Sequence, residues 1–209
     1  MTDPTPTDDV LLAGDFGDWL DALPGAIDGE HDADVPCGTC TGCCTSSQFI
    51  AIGPDEVDTL RAIPAALRFP APGRPKGHVL LGYDEHGHCP MLVDGACTIY
   101  DRRPRTCRTY DCRVFPAAGL EPDEATKAAI TERVRRWRFA HPRPDDAARH
   151  DAVRAAAVFI RAHVDEWPAG SLPATTTHQA VLATQIHELF LAGDPDPSTV
   201  RGSIDALRP

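Results

Sequence analysis

The feature that most constrains this chain is the stretch CGTCTGCC, residues 37–44, which holds four of its eight cysteines. Cys37, Cys40 and Cys43 form C-x2-C-x2-C, and a fourth cysteine follows directly. Ligands two residues apart can share one metal centre because a tight turn points both sulfurs inward, and glycines such as Gly38 permit that turn. The spacing therefore predicts a metal site.

The other cysteines lie close behind, and residues 1–36 and 113–209 contain none. In a reducing compartment, an even number of clustered cysteines favours metal ligation over a disulfide framework. Both tetrahedral zinc and an iron–sulfur cluster suit thiolate ligands, so both cofactors stay open. The candidate metal ligands are Cys37, Cys40, Cys43, Cys44, Cys89, Cys97, Cys107 and Cys112. Three histidines of the same region, His78, His86 and His88, could add a nitrogen ligand, although eight thiols already suffice.

Charge and hydropathy restrict the partners. The net charge of −11 disfavours nucleic acid and anionic membrane surfaces. The acidic start lacks the basic flank and apolar run of a secretory signal, and no stretch reaches the length of a membrane span. We therefore predict a cytoplasmic protein that binds a metal ion and neither nucleic acid nor membrane. The sequence identifies no substrate or protein partner.

One segment departs from this acidic balance. Residues 101–113, DRRPRTCRTYDCR, carry five arginines against two aspartates and enclose two cysteines. The run could be a solvated charged surface or a local contact for RNA or phosphate. Its placement favours a third interpretation, in which guanidinium groups lower the cost of keeping several thiolates charged in one place.

The pattern of elements predicts a mainly α chain with short β strands, in which an irregular, metal-stapled cysteine module packs on a small helical assembly. We expect a mobile acidic N-terminal tail over residues 1–33, with at most one docking helix around Phe16 and Trp19. The cysteine-cluster module is expected over 34–118. A helical C-terminal region follows over 119–209 and packs on the module as one domain.

Several local expectations are specific. QFIAI, residues 48–52, predicts a strand, and GPDEVDTLRAI, residues 53–63, predicts a helix with Pro54 in its first turn. Further on, Trp137 is expected on a helix face with preceding apolar residues, and Thr177 is expected to cap a later helix.

With these motifs, residues 35–115 resemble the YkgJ-type cysteine-cluster family, the CxxCxxCC proteins described as zinc- or iron-chelating. CGTCTGCC is similar to the opening cluster of that family, and HCPMLVDGACTIYDRRPRTCRTYDC to its second half. The resemblance implies metal ligation by seven cysteines: Cys37, Cys40, Cys43, Cys44, Cys89, Cys97 and Cys107. It adds Cys112 as an eighth ligand. Family positions that we interpret as packing or supporting groups are Tyr100, Arg103, Pro104 and Arg108.

The leading functional hypothesis is a metal-binding protein whose cysteine module holds zinc or iron. One alternative is a modifying enzyme of methyl-transfer or redox type that works at the metal, since a flagellin lysine methylase carries a similar cysteine cluster. A second alternative is a metal chaperone or store, which would need labile, exposed thiolates. HEL at 187–189 lacks the second histidine of a metalloprotease.

Overall fold

The computed structural model describes residues 10–122, 125–164, 167, 172 and 175–207. The chain divides into two compact units. The cysteine unit comprises Gly25–Asp111 and Glu124–Arg133, and the helical unit comprises Met1–Pro24, Cys112–Asp123 and Val134–Pro209. About half of the structure is helical, with a few short strands in small sheets, which confirms the predicted secondary-structure class.

The elements are short. The strands are β1 Leu11–Asp15, β2 Ile50–Ile52, β3 Arg68–Pro70, β4 Val79–Leu81, β5 Leu92–Val93, β6 Ala96–Cys97 and β7 Trp137–Ala140. The α-helices are α1 Phe16–Ile27, α2 Val57–Ala62, α3 Arg105–Thr109, α4 Val114–Ala118, α5 Ala128–Arg136, α6 Asp146–Ala162, α7 Thr176–Ile186 and α8 Pro197–Ala206. Single 3-10 turns span Gly42–Thr45, Ala65–Leu67, Tyr100–Arg102, Ala125–Lys127 and His187–Phe190.

The cysteine unit is built on a small antiparallel sheet with strand order β2-β4-β3. Apolar side chains from the strands, helix α2 and the following loops form its core; they are Ile52, Ile63, Leu81, Met91 and Ile99. The predicted strand at 48–52 is confirmed as β2. Helix α2 starts at Val57, later than expected, because the Gly53 N–H donates to Glu56 Oε1 at 2.8 Å and closes a turn first.

A tight hairpin joins β5 to β6. Asp94 and Gly95 form its turn with φ values of +50° and +76°. Two consecutive residues in the left-handed region match the twist of a two-residue hairpin, which explains the Asp-Gly pair. The strand pairing places Leu92 opposite Cys97, so the turn brings a cysteine back towards the core.

The helical unit contains a parallel strand pair and a group of packed helices. Strand β1 pairs with β7, and helix α6 packs against α7 and α4. Residues 11–27, which lie in the segment predicted as a mobile tail, form β1 and α1, and the side chains of Phe16 and Trp19 are buried. Residues 1–9 of that segment lie outside the described residues, and the predicted three-part division stays a prediction.

Two local predictions are wrong. Trp137 begins strand β7 instead of ending a helix, because its backbone pairs with Leu11 of β1 while its side chain stays buried. Helix α7 is capped by Thr175, whose side chain accepts a hydrogen bond from the His178 N–H, and Thr177 lies inside the helix. Among the described helices, none has both the length and the apolar character needed to cross a membrane.

Candidate metal centre

The first cysteine segment is a pair of tight turns. The Cys40 N–H donates to the Cys37 carbonyl at 3.0 Å, and Gly38 between them has φ +56°. The Gly42 N–H then donates to the Cys40 Sγ at 3.4 Å. The C-x2-C spacing therefore forms the kind of turn that the sequence predicts, with backbone donors directed towards sulfur.

Gly42 is required by close packing in the same segment. A Cβ added there would lie 3.2 Å from the carbonyl oxygen of Ala129 and 3.5 Å from the Cys40 Sγ. Both Gly42 and Ala129 belong to the cysteine unit, in which the 3-10 turns at Gly42–Thr45 and Ala125–Lys127 contact each other. A Cβ at position 42 would require the Ala129 carbonyl to move by a few tenths of an ångström, whereas its contact with the Cys40 sulfur would be an ordinary one.

The second half of the motif is fixed to the first by the backbone. The Cys89 N–H donates to the Cys44 carbonyl at 2.7 Å, and the Leu92 N–H donates to the Cys89 carbonyl at 2.9 Å. Cys97 stands opposite Leu92 in the β5–β6 hairpin. The side chains of Cys89 and Cys97 pack against the apolar core of the unit.

Cys107 comes to this region on helix α3. The helix is held against β2 by Thr106, whose Oγ1 donates to the Ala51 carbonyl at 2.7 Å. The Cys107 N–H donates to the Pro104 carbonyl at 2.8 Å, and Pro104 itself is buried just before the helix. Pro104, which matches a family position, thus sets the start of the helix that carries Cys107.

Electrostatic interactions connect four of the thiols. Burial raises the pKa of Cys107 to about 12, with further contributions from the thiolate charges of Cys44, Cys89 and Cys97. Burial also raises the pKa of Cys44 to about 11, again with Cys89 and Cys97 contributing. Because Cys44, Cys89 and Cys97 all contribute to the raised pKa of Cys107, the four sulfurs lie in one neighbourhood. At pH 7 the thiols of Cys44 and Cys107 carry protons.

Cys37 and Cys40 form a neighbouring pair. Burial raises the pKa of Cys37, and the Cys40 thiolate raises it further. Cys40 also contributes to the raised pKa of Cys44, which links the pair to the group of four. Cys43 lies on the 3-10 turn and is exposed.

The thiols do not converge on one point in this structure. None of the eight cysteines, all of which lie in the described part of the chain, forms a disulfide. Among the described residues, no group of three or more His, Cys, Asp or Glu side chains stands in a metal-holding arrangement. The suitability of the site for zinc or iron therefore rests on its donor chemistry, which is four neighbouring thiols, and on the positive charge beside them.

Arg103 supplies that positive charge. Its guanidinium carbon lies 3.7 Å from the centroid of the Tyr100 ring, a cation–π geometry. Its Nε is buried and has no hydrogen-bond partner within the described structure. The guanidinium charge lowers the pKa of Cys44 and Cys107, in opposition to burial. An orphaned donor on a cation beside protonated thiols fits a site that gains negative charge when the thiols ionise.

The other arginines of the 101–113 run have different roles. Arg105 pairs with Asp55, and Arg108 pairs with Asp32 at 2.7 Å, so carboxylates already neutralise both. Arg113 lies in the helical unit and donates to the Ala13 carbonyl at 2.9 Å. The charge compensation predicted for the run therefore falls mainly to Arg103.

Arg133 is a supporting residue that sequence reasoning missed. It lies on α5, within the predicted helical C-terminal region 119–209, and it belongs to the cysteine unit. Its Nη2 donates to the carbonyls of Pro36 at 3.0 Å and Cys37 at 3.1 Å. Its charge also lowers the pKa of Cys37. Nothing in the local pattern around Arg133 distinguishes it from the other arginines of its helix.

Cys112 differs from the other seven cysteines. It lies in the helical unit and is buried, and the indole Nε1 of Trp137 donates to its Sγ at 3.3 Å. Of the three histidines in the cysteine region, His86 and His88 are exposed, and their backbone N–H groups donate to Asp84 Oδ1 in the turn between β4 and β5.

The fold and the donor set define a class of protein: a chain with a thiol-rich unit suited to chelating a soft or borderline metal ion. Residues 36–129 match the model of the CxxCxxCC family, described as "Putative zinc- or iron-chelating domain". This match over residues 36–129 confirms the family-level resemblance. Comparisons with the curated proteins and with the solved structures gave no match.

Proposed function

We propose that this chain is a metal-binding protein whose cysteine unit holds a zinc or iron centre through four thiolates. The ligands are Cys44, Cys89, Cys97 and Cys107. The observation that carries the proposal is the backbone hydrogen bond from Cys89 to Cys44, which joins the two halves of the cysteine motif at 2.7 Å. Four sulfur ligands are the usual set for structural zinc and for iron–sulfur clusters.

The residues of the unit prepare the site in three ways. The apolar core behind Cys89 and Cys97 limits water on one side. Arg103 offsets part of the charge that ionised thiols bring. The turns at Cys37–Cys44 direct one backbone N–H, that of Gly42, towards the Cys40 sulfur. A bound zinc or iron ion would cross-link the two halves of the motif and offer a Lewis acid.

Cys37, Cys40 and Cys43 remain as a second set of thiols. Cys40 contributes to the raised pKa of Cys44, so this set lies near the first. That proximity supports a role in a cluster with more than one metal ion or in a second site. Metal stoichiometry separates these cases. One zinc ion per chain indicates the four-thiolate site alone, whereas two ions, or several iron atoms with sulfide, bring the second set into the ligand shell.

The first experiment measures zinc, iron and acid-labile sulfide, together with the visible spectrum, on protein purified without oxygen. Brown protein with iron and sulfide indicates a cluster, and colourless protein with zinc indicates a mononuclear site. The matched variants are Cys44→Ser and Cys43→Ser, of which only the first removes one of the four ligands proposed for the main site. A wild-type chain with neither metal and with all its thiols reactive would overturn the proposal.

The alternatives from the sequence are tested on the same protein. A metal store should release its ion to a mild chelator within minutes, whereas a closed four-thiolate site should retain it. A modifying enzyme would keep its fold in a variant that loses turnover, while a structural site would lose stability together with its metal. No substrate-level feature of the described residues favours methyl transfer over a redox role.

A further inference from the structure

A cavity of about 410 Å³ opens in the helical unit, whereas the four proposed ligands lie in the cysteine unit. It lies beside the end of α5, strand β7 and the first half of α6. Trp137, Phe139 and Val134 give it an aromatic and apolar lining, and Trp137 and Val134 are buried. A cavity of this volume with an apolar lining and a few polar groups is typical of a site for a small organic molecule.

The charged residues of the lining are unbalanced. Arg135, Arg138 and Arg154 line the cavity, against Glu121 and Asp151. Glu121 is engaged by Arg135 through two hydrogen bonds of 2.8 Å and 2.7 Å. An excess of positive charge at one concave surface stands out because the chain as a whole has a net charge of −11. Such local charge attracts an anion and raises its concentration at the cavity.

Arg154 is the most available of these cations. Within the described part of the chain, it has no ion-pair partner. Its side-chain stem lies over Gly119, where an added Cβ would come 3.7 Å from Arg154 Cγ. Arg138, by contrast, donates from Nη1 to the carbonyls of Arg135 and Trp137, both at 2.7 Å. Its guanidinium adds a further positive charge to the lining.

A pair of histidines forms another wall. His150 Nε2 lies 3.4 Å from the Pro116 carbonyl, and because a carbonyl only accepts, this nitrogen carries the proton. His150 Nδ1 then accepts from His141 Nε2 at 2.8 Å. Burial, with the Arg154 charge, lowers the pKa of His150 to about 4, so its ring is a neutral wall at pH 7. The positive charge of the cavity lining therefore comes from its arginines and not from His150.

We propose that this cavity binds a small organic anion, with its apolar or aromatic body against Trp137 and Phe139 and its carboxylate or phosphate on Arg154 and Arg138. The site is separate from the metal centre proposed above and does not depend on a bound metal. Guanidinium groups pair with carboxylate and phosphate oxygens in the same planar geometry, so both oxyanions belong to the expected class.

The test is an NMR titration of the full-length ¹⁵N-labelled chain with four probes: phenyl phosphate, benzoate, benzyl alcohol and inorganic phosphate. We expect the first two to shift the amide signals of Arg138 and Arg154 and the indole signal of Trp137. Benzyl alcohol should bind at least about tenfold more weakly, because it lacks the oxyanion. The stronger of phenyl phosphate and benzoate identifies the oxyanion that the site prefers.

The matched variants are Arg154→Gln and Arg161→Gln, which remove the same charge from two exposed positions of α6, only the first of which lines the cavity. Arg154→Gln should weaken phenyl phosphate or benzoate by about tenfold, and Arg161→Gln by less than about twofold. Equal losses in both variants, benzyl alcohol binding as tightly as the anions, or inorganic phosphate reproducing every shift would each overturn the proposal. The absence of any shift with all four probes would do so as well.

Discussion

The backbone N–H of Cys89 donates to the carbonyl of Cys44 at 2.7 Å, and this bond involves neither sulfur. The two halves of the cysteine motif are therefore joined through the backbone, independently of any bond to sulfur. Such preorganisation lowers the conformational entropy that metal binding must overcome. The remaining barrier is chemical, because the thiols must lose their protons.

Metal affinity is therefore expected to rise with pH. In the metal-free chain, the pKa of Cys44 is about 11 and that of Cys107 about 12, so both are protonated below pH 9. Each thiol that ligates must release its proton, which makes the affinity rise by about tenfold per pH unit for each such thiol. Competition with a chromophoric chelator between pH 6.5 and 8.5 measures the slope. A flat profile would show that neither thiol is a ligand.

The same pKa values predict how the stability of the metal-free chain depends on pH. A thiol ionises near 9.0 when unfolded, but Cys107 keeps its proton to about 12 when folded. Its contribution is therefore fully present below pH 9 and is lost as the pH rises from 9 towards 12. Urea unfolding at pH 7, 9 and 10.5 measures the decline, and Cys107→Ser should flatten it.

Removal of the Arg103 charge should weaken metal binding. Arg103→Gln leaves a neutral side chain where the guanidinium now opposes the raised pKa of Cys37, Cys44 and Cys107. We expect a loss of about tenfold in zinc affinity, equivalent to about 1.4 kcal/mol. Arg102→Gln is the control, since Arg102 is exposed and directly precedes Arg103, at the end of the 3-10 turn. An equal effect of the two variants would show that only net charge matters.

Two glycine substitutions should change stability in opposite directions. Gly42→Ala brings a Cβ to 3.2 Å from the Ala129 carbonyl oxygen, and such overpacking costs about 1 to 3 kcal/mol. Gly202→Ala lies in α8 with no heavy atom within 4 Å of the new Cβ. It should stabilise the chain by about 0.5 to 1 kcal/mol, because alanine is the better helix former. Thermal unfolding of both variants measures the difference.

Cys112→Ala tests whether the eighth cysteine is a ligand. We expect unchanged metal content and a loss of about 1 to 3 kcal/mol in the free energy of unfolding, since the Trp137 indole loses its sulfur acceptor. Cys112→Ser keeps an acceptor and should lose less. Metal analysis with urea unfolding separates the two effects, and a fall in metal content in both variants would restore Cys112 to the ligand set.

Local chemistry made part of this fold predictable. Asp94-Gly95 indicates its hairpin because few residue pairs tolerate two positive φ angles in a row. The strand at Ile50–Ile52 and the helix at Val57–Ala62 follow from apolar spacing. The family resemblance was also predictable, because cysteine spacing is a property of the linear chain.

Features that depend on distant parts of the chain could not be predicted in this way. Trp137 fits the apolar spacing of the preceding helix, but its backbone pairing with Leu11 decides its conformation. No local sequence pattern identifies Leu11 as its partner. Arg133 and the His141–His150 pair are similar cases, since their roles come from carbonyls and rings that the fold brings to them. The spacing of cysteines shows which residues are candidate ligands but not which of them become neighbours.

The parallel pairing of β1 with β7 has a consequence for the order of events on the ribosome. Leu11–Asp15 emerge early, but their partner Trp137–Ala140 follows every cysteine in the sequence and therefore emerges after all of them. The first strand must therefore wait unpaired while the whole cysteine unit is made, and that unit has its complete set of thiols before the helical unit can close. During synthesis, the cysteines can therefore encounter metal before β1 pairs with β7.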